Sequence, residues 1–125
     1  MMRHRGPGPI LVVEDDPALR EALTLILERE GHTVVAAAEG QKALDILRGP
    51  SRPSLVLLDL MLPVMDGFEF RVQQRQDPRV ADVPVIVLSA GGDLERKTAG
   101  MTAAACLHKP IDIDELLGLI ARLRN

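Results

Sequence analysis

Three carboxylates in this chain stand where chemistry would need them. Glu14 and Asp15 follow the apolar run Ile10-Leu11-Val12-Val13, and Asp59 follows Leu55-Val56-Leu57-Leu58 and leads into Leu60-Met61-Leu62-Pro63. An unpaired buried charge costs several kcal/mol or shifts its pKa until it neutralises. An acid at the end of such a run is therefore expected to be held by a metal, a cation or chemistry. Carboxylates from two separate strand ends suit a cation site, and three of them suit a hard divalent ion such as Mg²⁺, which takes carboxylates, water and phosphate oxygens. Asp59 can then act as a nucleophile toward a phosphoryl group. Lys109 offers a compact positive charge for one phosphoryl oxygen, and the Ser89 hydroxyl can donate to another.

These groups need a scaffold that brings them to one edge. Residues 10–13 read as a strand buried on both faces, since apolar residues run on without polar alternation. Asp16-Pro17 opens a helix whose Leu19, Ala22, Leu23, Ile26 and Leu27 form one stripe and which ends at Gly31. A second strand covers 33–37. A helix over Gln41 to Arg48 turns Ala43, Leu44 and Leu47 inward, and Gly49-Pro50-Ser51-Arg52-Pro53 breaks the chain.

The third strand is 55–58, and a third helix begins near Gly67 with Phe68 and Val72 on one face and Arg71, Gln73, Gln74 and Arg75 making the remainder polar. Pro84 starts a fourth strand through Leu88, where its missing N–H does least harm. A loop at Gly91-Gly92-Asp93 precedes a brief helical segment over 94–99. Residues 104–108 form a weak fifth strand, and Asp112 caps a last helix lined by Ile113, Leu116, Leu117 and Ile120.

Strict alternation of five strands and five helical segments predicts an α/β parallel sheet with right-handed crossovers and helices on both faces. In such sheets the ligand site lies beyond the carboxyl ends of the strands. Glu14, Asp15, Asp59, Ser89 and Lys109 all fall on that edge.

Composition narrows the function further. The chain has 125 residues, a net charge of −3, two phenylalanines and no Trp or Tyr. That is one domain with an aliphatic core, and it offers neither stacking surfaces for single strands nor a dominant basic face for duplex DNA. Direct nucleic-acid binding is not expected. A single cysteine, Cys106, suits a reducing compartment, and no run is long enough to span a membrane, so a cytoplasmic protein without membrane insertion is expected. Residues 1–9, basic and turn-rich, read as a flexible arm.

Taken together, Ile10 to Pro17, Leu57 to Gly67, Val87-Leu88-Ser89-Ala90 and Lys109-Pro110 resemble the receiver domain of two-component response regulators over nearly the whole chain. The resemblance implies a doubly wound (βα)5 flavodoxin-like three-layer sandwich with sheet order 2-1-3-4-5. It implies that Asp59 is the phosphoacceptor, that Glu14, Asp15, Asp59 and the Met61 backbone carbonyl hold Mg²⁺, that Ser89 is the switch hydroxyl and Lys109 the phosphate contact, and that the Lys109–Pro110 bond is cis. The partners it implies are a histidine kinase or phosphotransfer protein as donor and a downstream protein target. Residues 10–125 would then be a receiver without an output domain, a phosphoacceptor rather than a turnover enzyme.

Other residues have simpler roles. Asp16 reads as a helix cap, Asp66 as a turn former with Gly67, Cys106 as a small buried hydrophobe, and His4, His32 and His108 share no metal-ligand spacing. Departures from the family pattern lie on the output side. Cys106 replaces an aromatic residue three positions before Lys109, Thr102 takes the place of a turn glycine, and the fourth helical segment is short. Two other classes stay open: a receiver-like interaction module that ignores phosphorylation, and an aspartyl-nucleophile phosphohydrolase, although Met61 stands where such enzymes carry a second acid.

Overall fold

The computed structural model describes residues 8–90 and 98–124. Five parallel strands, β1 (Ile10–Val13), β2 (Val34–Ala37), β3 (Leu55–Asp59), β4 (Val85–Ser89) and β5 (Ala105–His108), form one sheet in the order β2-β1-β3-β4-β5. The described helices are α1 (Pro17–Arg29), α2 (Gly40–Arg48), α3 (Gly67–Arg75) and α4 (Ile113–Leu123). The brief helical segment expected over 94–99 falls largely outside the described residues.

Alternation along the central strands divides the core in two. Leu11, Val13, Val56, Leu58, Val85 and Val87 face a cluster closed by Leu44 and Leu47 of α2 and Phe70 of α3. Ile10, Val12, Leu55, Leu57, Ile86 and Leu88 face the other, closed by Leu23 and Leu27 of α1 and Leu116 and Ile120 of α4. The result is three layers, with both sheet faces covered, which is why β1 is apolar throughout and β3 and β4 are apolar up to Asp59 and Ser89. Each fully buried aliphatic side chain contributes about 1.5–3 kcal/mol relative to exposure.

Capping fixes where the helices start. Asp16 accepts from the Ala18 N–H at 3.0 Å with Pro17 at the first helical position, and Asp112 accepts from Glu115 at 3.1 Å. Asp66 does more than turn the chain: its carboxylate accepts from the Glu69 N–H at 3.0 Å and caps α3. Gly31, at φ 91°, ends α1 in a conformation that side-chain-bearing residues rarely adopt.

Helix α3 corrects the expected inward face. Its buried residues are Gly67, Phe70, Arg71 and Gln74, whereas Val72 is exposed and Phe68 only partly buried. The buried polar pair is satisfied internally. Arg71 donates to the carbonyls of Met101 and Thr102 at 2.8 and 2.9 Å and to Gln74 Oε1 at 2.7 Å, while Gln74 donates to the carbonyls of Val80 and Val83 at 3.0 Å each. A polar face thus goes inward because irregular backbone at 80–83 and 101–102 supplies carbonyls that need donors. Thr102, at φ 53°, does adopt the left-handed conformation for which glycine is the usual residue.

Candidate functional site

The sheet register brings the polar groups together. Asp59 ends β3 opposite Leu88, Ser89 ends β4 opposite His108, and the Lys109 N–H donates to the Ser89 carbonyl at 2.8 Å. Glu14 and Asp15 leave β1, whose Val13 pairs with Leu58 one residue before Asp59. Carboxylate oxygens of Glu14, Asp15 and Asp59 lie within 4.8 Å of one another.

Burial differs within this trio. Glu14 and Asp59 are 1% and 2% exposed, whereas Asp15 is open to solvent. Asp59 Oδ1 accepts from the Met61 N–H at 3.0 Å and its Oδ2 lies 3.2 Å from Lys109 Nζ. Glu14 Oε1 accepts from the same ammonium at 2.8 Å and its Oε2 from the Asp16 N–H at 3.1 Å. Arg20 donates to the Glu14 carbonyl at 2.9 Å and so fixes the backbone, not the carboxylate.

One ammonium therefore serves two buried carboxylates with a third acid beside them. Burial pushes the Glu14 carboxyl above its ordinary value, despite the opposing hydrogen bonds from Lys109 and Asp16. For Lys109, burial works against the ammonium, but the hydrogen bond to Glu14 and the charges of Asp59 and Glu14 outweigh it and hold its pKa above the ordinary lysine value. The excess of carboxylate charge and the convergence of hard oxygen donors fit a divalent cation of the Mg²⁺ type.

The loop after Asp59 is built around a close approach. A Cβ on Gly67 would lie 2.8 Å from Leu60 Cα and 2.9 Å from the Asp59 carbonyl oxygen, and the Gly67 N–H donates to the Leu60 carbonyl at 3.1 Å. Met61 projects outward, 66% exposed. The Ser89 hydroxyl is buried at the same edge and donates to the Ala90 carbonyl at 3.1 Å. The Lys109–Pro110 peptide is cis.

Cys106 sits apart from the acids. It is partly rather than fully buried, and its Sγ lies 3.3 Å from Thr98 Oγ1 as a hydrogen-bond partner. His32 is partly buried and His108 exposed. His4 lies outside the described residues. The participants that composition did not point to are backbone groups, the N–H of Met61 and of Asp16, which become visible only once the turns are formed.

A doubly wound sheet with an acidic cluster and one lysine at its carboxyl edge defines a class of α/β domain built for phosphoryl or cation chemistry. Within that class, residues 10–121 match the response regulator receiver domain, and the chain belongs to that family. It is 39% identical over 116 residues to the "DNA-binding dual master transcriptional regulator RpaA" of Synechocystis, covering 91% of this chain and 48% of that protein. It is 41% identical over 120 residues to "Response regulator MprA" of Mycolicibacterium vanbaalenii, covering 94% of this chain and 49% of that one. The chain thus spans about half the length of these relatives.

Among solved structures, a putative response regulator from Chloroflexus aurantiacus is similar with a TM-score of 0.85 at 33% identity, covering 94% of this chain and 97% of that one. The chemotaxis protein CheY4 of Vibrio cholerae is similar with a TM-score of 0.84 at 28% identity, covering 94% of this chain and 98% of that one. The expectation that no nucleic acid is involved finds no support in these relatives, since RpaA is named as DNA-binding. No described helix is long and apolar enough to cross a membrane.

Proposed function

We propose that this receiver domain accepts a phosphoryl group on Asp59 from a phosphohistidine of a histidine kinase or phosphotransfer protein in the cytoplasm. The observation that carries the reading is the setting of Asp59. It is a buried carboxylate at a strand end, anchored by the Met61 N–H and Lys109, with Glu14 and Asp15 alongside.

In the transfer, a carboxylate oxygen of Asp59 bonds to phosphorus as the P–N bond of the donor imidazole breaks. The donor imidazole, protonated at its other ring nitrogen, leaves with the bonding electron pair and so ends neutral. Lys109, 3.2 Å from Asp59 Oδ2, would follow one phosphoryl oxygen, and Ser89 would exchange its Ala90 contact for another. Glu14, Asp15, Asp59 and the Met61 carbonyl would hold Mg²⁺. When bound, Mg²⁺ would supply positive charge to the phosphoryl oxygens.

Met61 carries no proton acceptor able to orient an attacking water, so the aspartyl phosphate is expected to be long-lived. A lifetime of seconds would contradict this. The output runs through a downstream protein target or onward phosphotransfer. The DNA binding named for RpaA makes transcription one class of output for a longer protein of this kind.

Incubation with acetyl phosphate and Mg²⁺, followed by intact mass, tests the proposal. One added phosphoryl group in the wild type and none in Asp59→Asn supports it. No phosphorylation would favour an interaction module, and sustained turnover of acetyl phosphate would favour a hydrolase.

A further inference from the structure

We propose that the edge of the sheet opposite Asp59 carries a second binding site, which takes an acidic protein segment bearing an apolar side chain beside its carboxylates. At the amino ends of β3 and β4 a cavity of about 420 Å³ opens between the α2 C-terminus and the turn after α3. Leu47, Pro53 and Val80, all buried, form its floor, and Arg48, Arg52 and Arg79 stand around it, each exposed. None of its lining residues is an acid.

Among the described residues this charge is only partly answered. Asp77 pairs with both Arg48 Nε at 3.2 Å and Arg79 NH2 at 2.9 Å, so one carboxylate answers two guanidiniums. Arg48 uses only its Nε there. The Arg52 side chain has no hydrogen-bond or ion-pair partner among the described residues. Gly8 packs directly on the Arg52 carbonyl.

A helix-capping role explains part of this pattern. Arg48 lies in the last turn of α2, where a cation suits the helix dipole, and the same holds for Arg75 in α3. Arg52 and Arg79 lie outside every described helix. Arg52 also holds φ at 50°, a left-handed conformation that non-glycine residues adopt at a cost and that recurs at binding sites.

The lining decides the class of ligand. An apolar floor under a guanidinium rim matches an aliphatic side chain flanked by carboxylates, which arginine can bind in a bidentate fork. A nucleic-acid backbone fits less well. The lining of the cavity includes no aromatic side chain on which bases could stack.

The test uses the full chain, isotopically labelled, titrated with a short peptide of alternating Glu and Leu. Saturable shifts confined to 47–53 and 77–83 are expected, with Arg52→Glu and Arg79→Glu each weakening binding by about tenfold and Arg52→Gln by less. Thermal melting of each variant separates lost binding from lost fold, and Arg52→Gln, which removes the charge without reversing it, decides if the charge reversals unfold. Shifts spread elsewhere, undiminished binding in Arg52→Gln, or equal shifts from an alternating Lys and Leu peptide would overturn the proposal. So would tighter binding of inorganic phosphate or a short DNA duplex at the same residues.

Discussion

Arg71 donates from NH1 to Oε1 of Gln74 at 2.7 Å, one turn further along α3, and both side chains are buried. Among the described residues no carboxylate neutralises the guanidinium, and burial lowers its pKa from the ordinary arginine value. Backbone carbonyls do the work of a counter-charge: Met101 and Thr102 on one side and, through Gln74, Val80 and Val83 on the other. The pair ties α3 to the turn before β5 and to the turn before β4.

Arg71→Ala is therefore expected to destabilise the domain by about 2–3 kcal/mol, because buried acceptors lose their donor and nothing else can fill the space. Arg71→Lys keeps the charge but has one nitrogen where three directions are required, so it should recover only part of the loss. Urea denaturation checks both, read as a lower midpoint with an unchanged slope. A wild-type midpoint for Arg71→Ala would show that water replaces the guanidinium freely.

Gly67 is the second structural test, and it touches the site. A methyl group there would press on Leu60 Cα and the Asp59 carbonyl, which are backbone atoms that cannot turn aside. Gly67→Ala is expected to cost about 1–3 kcal/mol in overpacking and to displace the Asp59 loop. Slower phosphorylation by acetyl phosphate should accompany the lower melting temperature. A stable Gly67→Ala that is phosphorylated at the wild-type rate would show that the loop can yield.

These two positions show what the sequence could and could not disclose. The strands were readable because residues 10–13, 55–58 and 85–88 are buried on both faces and so carry no polar residue to confuse the period. The acids were readable because a charge at the end of such a run stands out. Helix α3 was not, since Arg71 and Gln74 look solvent-facing until the carbonyls at 80–83 and 101–102 are placed around them. Phe68 and Val72 drew the inward face to the wrong side for the same reason. The anchoring of Asp59 by the Met61 N–H belongs to backbone geometry, which side-chain identity does not encode.

Acid should reveal the Asp77 cluster. The Arg79 side-chain hydrogen bond, followed by the Arg79 backbone N–H, lowers the Asp77 pKa from an ordinary 3.8 to about 2, with Arg48 adding to the effect. A carboxyl with a depressed folded pKa contributes stability that is complete above its unfolded pKa and is lost as pH falls through the folded one. The contribution should thus fade between about pH 4 and pH 2. In Asp77→Asn that part of the acid dependence is expected to vanish, and thermal melts across this range would show it. An identical pH profile in the variant would mean that the exposed pairs are screened by solvent.

Transmission from Asp59 poses the last test, and it rests on the proposed phosphorylation. Phe68 and Phe70 of α3 are the chain's two aromatic residues, and β5 carries Cys106 opposite Val87. Cys106 offers no ring to swing at that position, and its thiol is instead engaged with Thr98 at 3.3 Å. A beryllofluoride complex, which mimics the aspartyl phosphate, is expected to shift amides around Ser89, Thr98 and α3 more than those of β5 and α4. Cys106→Ala should cost about 1 kcal/mol through the lost contact while leaving phosphorylation by acetyl phosphate unchanged. Shifts on β5 and α4 as large as those on α3, abolished by Cys106→Ala, would place the signal on the strand and refute an α3 route.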